Sequence, residues 1–299
     1  MKAILFICIL PASLLITIAC NNSEAQTAGV SVAYGTPDSL TSDPKQLYSW
    51  PGADTVKDEI CTRFYVPEGF KRTQSKTGSF GMWLRHLPLL RNGVPVMLHN
   101  GEQKRNQNAH IAVLNIDVGK SDLQQCADAV MRLRAEYLFS CKRYNDIAFN
   151  FTNGDRCIYT EWCDGIRINT SRGGKQKTGK KAELSDHEAF RRYMNDVFMY
   201  AGTLSLSREM KPVYADSMRI GDVFIKGGSP GHACIVADMA VNEQGEKVFL
   251  LLQSYMPAQQ IHVLKNPEAQ IGVPWYPLDF GEQLVTPEWK FSRSELMRF

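Results

Sequence analysis

Covalent and proton chemistry in this 299-residue chain rests on its eight cysteines and six histidines. Cys126 is the cysteine near the start of a predicted helix, where the helix dipole favours a thiolate. It also falls on that helix's apolar stripe, so it reads either as a nucleophile or as a small core hydrophobe. His232 heads the apolar run Gly231-His232-Ala233-Cys234-Ile235-Val236, either as a base or as a strand-end imidazole satisfied by backbone. Cys234 shares a strand face with His232, but i and i+2 lie about 6–7 Å apart, which argues against a direct thiol–imidazole bond. Gln253 closes the next apolar run, Phe249-Leu250-Leu251-Leu252. His86, His99, His110, His187 and His262 show no H-x-x-x-H spacing, and no C-x-x-C pair occurs. No metal site and no cofactor are therefore expected.

The N-terminus supplies a different kind of site. Lys2 precedes the apolar run 4–10, which resumes at Leu14-Leu15-Ile16 and closes with Ala19-Cys20. This is the outline of a secretory signal peptide, too short and too broken to span a bilayer. Thr17-Ile18-Ala19-Cys20 resembles a lipobox, with cleavage before Cys20 and lipid on its sulfur. The other reading is an ordinary cleaved signal with Cys20 incidental. Residues 1–20 are thus expected to be a lipoprotein signal, 21–47 a flexible tether and 48–299 one folded domain. The expected address is the cell envelope, with the membrane engaged through the lipid anchor.

A composition 44% hydrophobic and 22% charged suits a soluble fold, and a net charge of +3 without a basic, aromatic-studded stripe excludes nucleic acid. Six cysteines remain beyond Cys20, and an oxidising compartment permits disulfides among them. The Gly-rich basic run Arg172–Lys181 reads as a solvated loop rather than an anion site.

The elements that must position these residues follow from periodicity. Residues 63–67, 79–85 and 94–98 read as short strands or loops, and His110–Ile116 as a better strand. Ser121 with Gln124 forms a capping box for a helix carrying Leu123, Cys126, Ala127, Val130, Leu133 and Tyr137, with Asp128, Arg132 and Glu136 on a solvated face. A second helix opens at Ser185 and buries Phe190, Tyr193, Val197, Ala201 and Leu204. Four strands follow, at 222–225, 232–238, 248–254 and 261–264. Helices followed by strands predict an α+β fold.

Two resemblances sharpen this. Gly221-Asp222-Val223-Phe224-Ile225 followed by Pro230-Gly231-His232 resembles the paired strands of CHAP-type and NlpC-type papain-like hydrolases. That likeness implies N-terminal helices against a C-terminal antiparallel sheet or half-barrel. It assigns Cys126 as nucleophile, His232 as base, Gln253 as the residue orienting the imidazole, and Gln125 or backbone N–H groups as the oxyanion hole. Across the whole chain, Trp83-Leu84-Arg85, Asp122 to Asp128, Phe151-Thr152-Asn153-Gly154, Gly227 to His232 and Gln253 to Gln259 are similar to the family described as domain of unknown function 4846. That family implies a domain boundary and no activity. The expected function is a cysteine peptidase or amidase acting on peptidoglycan peptides or another envelope amide. The alternative is a non-catalytic lipoprotein that binds cell-wall peptide, glycan or a partner protein. Its motivation is Tyr159-Thr160-Glu161-Trp162 and Trp275-Tyr276-Pro277, which could stack on sugars or belong to the core.

Overall fold

Apolar residues on both faces of two long strands build the sheet that organises the protein. The computed structural model describes residues 48–53, 58–269 and 273–299; residues 1–20, expected to be a signal segment ending in Cys20, and 21–47, expected to be a tether, lie outside them. In chain order the elements are α1 (Ile60–Arg63), β1 (Phe70–Arg72), α2 (Phe80–Arg85), β2 (His110–Val113), α3 (Cys126–Ser140), α4 (Tyr159–Cys163), α5 (His187–Tyr200) and α6 (Thr203–Glu209). Strands β3 (Lys211–Pro212), β4 (Val223–Lys226), β5 (His232–Asn242), β6 (Lys247–Gln253), β7 (His262–Leu264), β8 (Tyr276–Pro277) and β9 (Leu296–Arg298) follow. Seven of them form an open sheet in the order β2-β7-β6-β5-β4-β9-β3, with β1 added on β5 and β8 on β6. Every pairing is antiparallel.

The α+β class is as expected, but the sheet is not confined to the C-terminal half, because β1 and β2 are recruited to it. The two faces of β5 explain its uninterrupted hydrophobicity. Ala233 and Ile235 join Leu250, Leu252 and Val263 in a cluster with Trp83, Ala127, Val130 and Leu133 of the helical layer. Cys234 and Val236 join Phe249, Leu251 and Leu264 in a second cluster with Tyr276, Leu284 and Phe291. A bulge between Leu250 and Leu251 shifts the register opposite Val236 and Asp238. The fully buried Asp238 meets Arg72 at 2.8 Å and Arg85 at 2.7 Å, tying β1 and α2 to β5.

Several local expectations change. Residues 80–85 are a helix, because Ser79 Oγ accepts the Met82 N–H at 3.3 Å and caps it. The Asp128, Arg132 and Glu136 row is buried, not solvated. Arg132 Nε donates to Glu136 Oε1 at 2.6 Å, and His187 Nε2 lies 3.0 Å from the same oxygen, so α5 covers that side of α3. The cap of α5 is Asp186, accepting from Glu188 N at 2.9 Å. Ala201 and Leu204 fall beyond its end, Leu204 in the separate α6. Arg172–Lys181 contributes the second strand of a hairpin, Lys175–Lys177, paired with Ile166–Ile168. Tyr159, Trp162, Trp275 and Tyr276 are buried in the two clusters, which removes the sugar-stacking role considered for them. The six cysteines from Cys61 onward are all free thiols. Among the described residues no helix is long and apolar enough to cross a membrane.

Candidate functional site

Helix α3 begins at Cys126 itself, not near Ser121. Its N-cap is Gln125, whose backbone N–H donates to Asp128 Oδ2 at 3.0 Å. The start is displaced because the preceding segment is held by the loop after β6: the Ala258 N–H donates to Asp122 Oδ1 at 2.6 Å, and Ser254 Oγ lies 3.1 Å from the Gln124 carbonyl. Cys126 therefore occupies the first helical position, where the unpaired N–H groups and the dipole act most strongly. Its thiol lies against the backbone N–H groups of Ala127 and Ala233, which lower its pKa. Burial, and secondarily the Asp128 charge, outweigh them and push the thiol up to about 11. Asp128 is itself pushed up to about 8 by burial. Its Oδ1 is buried without a hydrogen-bond partner.

Ala233 follows His232 at the head of β5 and turns its side chain to the cluster under α3, whereas the His232 ring lies on the opposite strand face with Cys234 and Phe291. Geometry fixes the tautomer. Gln253 Nε2 donates to Glu288 Oε2 at 2.7 Å, a bond only the amide nitrogen can make to a carboxylate, which turns Gln253 Oε1 toward His232. His232 Nε2–H donates to that oxygen at 2.8 Å. The lone pair is left on Nδ1, which makes no hydrogen bond to any described residue. No hydrogen bond joins Cys126 and His232. The ring is sealed by Phe291, stacked at 5.7 Å and 19°, by Trp289 at 5.4 Å and by Tyr255 at 4.9 Å. Burial lowers the His232 pKa from 6.5 to about 4, so the imidazole is neutral at pH 7.

Behind Gln253 the polar cluster continues, and no sequence signal marked its members. Lys104 Nζ is paired with Glu288 and lies 3.5 Å from His262 Nε2. His262 Nδ1–H donates to the Gln260 carbonyl at 2.9 Å, leaving Nε2 to accept from Gln253 Nε2 at 3.2 Å. Glu288 lies in the turn of the hairpin Gln283–Val285 with Lys290–Ser292, far along the chain from everything it touches. Cys234 also joins the cluster. Its Sγ is 3.5 Å from His232 Nε2, closer than backbone spacing suggested, because the two side chains lean together on one strand face. Cys234 is fully buried and burial raises its pKa well above the ordinary value.

On the solvent side, Cys126 and Asp128 open onto a groove of about 380 Å³ walled by Phe198, Thr203, Gly231 and Met256. Gln125 also lines it, but its Nε2 donates to Asp122 Oδ1 at 3.2 Å, so its side-chain amide is engaged in this state. The structure thus places Cys126 and Gln125 on the groove, and brings His232 and Gln253 together in the Glu288 cluster on β5 and β6; no hydrogen bond or ring contact among the described residues links the two pairs.

No curated protein and no solved structure matches the chain. The profile of one family, described as a domain of unknown function (4846), matches residues 60–298, and the chain belongs to that family.

Proposed function

We propose that the protein is a papain-like cysteine hydrolase cleaving an amide bond, on a domain that a lipid at Cys20 holds to the cell envelope. The observation that carries the reading is the Gln253 Oε1 to His232 Nε2 bond of 2.8 Å, which orients the imidazole and leaves the Nδ1 lone pair free to act as a base. Cys126 Sγ would attack the amide carbonyl carbon while His232 Nδ1 takes the thiol proton. The same proton passes to the departing amine as the C–N bond breaks. Water, giving its proton to Nδ1, then hydrolyses the thioester and releases the acid. First-turn N–H groups of α3 would receive the oxyanion, joined by Gln125 once it leaves Asp122. Peptidoglycan stem peptides, or another envelope amide, fit a tethered enzyme.

A second reading has its own support. A thiol held up to about 11 and an imidazole down to about 4 form a neutral pair at rest, which suits a groove that binds cell-wall peptide without cutting it. Digestion of peptidoglycan by the purified full chain, followed by mass spectrometry of released fragments, separates the two. Cleavage abolished by Cys126→Ala and by His232→Ala supports the hydrolase. Fragment binding without cleavage supports the second reading, and cleavage indifferent to both substitutions removes the role assignments.

A further inference from the structure

Away from this groove, three side chains of different chemistry meet under α1. Glu59 is the N-cap of α1, Cys61 lies within it, and His86 is the C-cap of α2. Cys61 Sγ lies 3.1 Å from His86 Nδ1 and 3.6 Å from Glu59 Oε2, and His86 Nδ1 lies 2.7 Å from Glu59 Oε2. Cys61 and His86 are 5% and 2% exposed, while the Glu59 side chain at 12% faces outward most.

We infer that Glu59, Cys61 and His86 form a binding site for a zinc-class divalent ion, with a fourth position left to water. The donor set selects the ion: one thiolate, one imidazole and one carboxylate suit zinc, whereas magnesium and calcium take oxygen ligands. The dimensions fit closely. Zinc bonds of about 2.3 Å to sulfur and about 2.0–2.1 Å to nitrogen and oxygen hold tetrahedral ligand atoms about 3.3–3.6 Å apart. The three atoms would part by roughly 0.7 Å at most to admit the ion. Charge also fits, since a thiolate and a carboxylate neutralise a divalent ion. The filled site therefore adds no net charge beside the buried Arg72, Arg85 and Asp238 group. Without the ion, burial and then Glu59 push the Cys61 thiol up to about 12, so binding exchanges the thiol proton for the metal. The ion would reinforce an existing junction, where Ile60 N–H donates to the Leu87 carbonyl at 3.2 Å and Glu59 bridges Pro88.

The test is titration of chelator-stripped full chain with cobalt(II), then zinc(II). One ion per chain is expected, with a thiolate-to-cobalt charge-transfer band that equimolar zinc abolishes. X-ray absorption of the zinc form should show one sulfur in the first shell. Affinity should rise about tenfold per pH unit as the thiol proton is displaced. Cys61→Ser should remove the band, and Glu59→Gln and His86→Gln should weaken binding at least tenfold, while Cys126→Ala leaves it intact. If Cys61→Ser does not fold, the sulfur count of the unaltered chain and the two other variants still decide. No band and no sulfur ligand in the unaltered chain, or a band that survives in Cys61→Ser, overturns the assignment.

Discussion

Glu288 determines which way the Gln253 amide faces. Its carboxylate takes the Gln253 N–H at 2.7 Å, and the oxygen on the other end of that amide is thereby presented to His232 at 2.8 Å. A neutral glutamine in the orienting position is thus backed by a carboxylate one bond further out. Glu288→Ala should free the amide to rotate and leave Lys104 buried without its partner, costing about 3 kcal/mol. Urea denaturation measures the loss. Nitrogen NMR of His232 should change from a single Nε2–H tautomer to a mixture, and an unchanged tautomer would contradict the relay.

The buried imidazole makes stability fall in acid. His232 titrates near 4 in the folded chain against 6.5 ordinarily, so the unfolded chain binds the extra proton between those values and stability drops as pH falls through that window. The shift corresponds to about 3 kcal/mol. His262, also held well below its ordinary value by burial, adds in the same direction. His232→Gln should flatten the stability profile between pH 6.5 and 4 relative to the unaltered chain. Equal slopes would show that the ring is not neutral in the fold.

Asp128 acts with the opposite sign. Its folded value of about 8 lies above the ordinary 3.8, so the stability associated with its proton is fully present below 3.8 and is lost progressively as pH rises from there to 8. Asp128→Asn keeps an acceptor for the Gln125 N–H and removes the titration. It should stabilise the chain at pH 7 by on the order of 2 kcal/mol and speed alkylation of Cys126 at pH 9, where the carboxylate otherwise opposes the thiolate. Chemical denaturation and mass-spectrometric labelling check the two effects separately.

Thiol labelling should also rank the cysteines. Cys141 is exposed and should react with iodoacetamide first. Cys126, with a value of about 11, has roughly one thiolate in ten thousand at pH 7, and its labelling rate should climb about tenfold per pH unit up to that value. A fast, pH-independent reaction at Cys126 would place its pKa below neutrality.

Arg132 and Glu136, both fully buried, hold α3 under α5. Glu136→Leu should cost about 3 kcal/mol by removing the buried partner of Arg132 Nε, with Asp117 and Gln124 still holding the other end of the guanidinium, and adding Arg132→Met should recover part of it. Thermal or urea unfolding of the single and double variants tests the coupling.

The strands between residues 222 and 264 were readable because each is a continuous apolar run bounded by turns, with His232 and Gln253 at the ends where those runs begin and close. The short strands after residue 275 carry no such run. The start of α3 was not readable. Ser121 and Gln124 satisfy the capping pattern, but the Ala258 N–H holds Asp122 from 136 residues away, and the helix can begin only after that segment. Asp128, Arg132 and Glu136 have the spacing of a solvated charge row, and nothing local reveals that α5 will cover them. Glu59 and Cys61 are near neighbours, yet His86 reaches them from 25 residues on, with no regular spacing to flag the trio. Glu288 is a lone acid in a hairpin turn. Its importance arises wholly from tertiary contact.

The open sheet ends at β3, just two residues long and composed of Lys211 and Pro212. Proline offers no N–H to a further strand, and the lysine charge repels a like edge from a second copy. Crowded side by side at high local concentration, such molecules have no backbone template at this margin from which to polymerise.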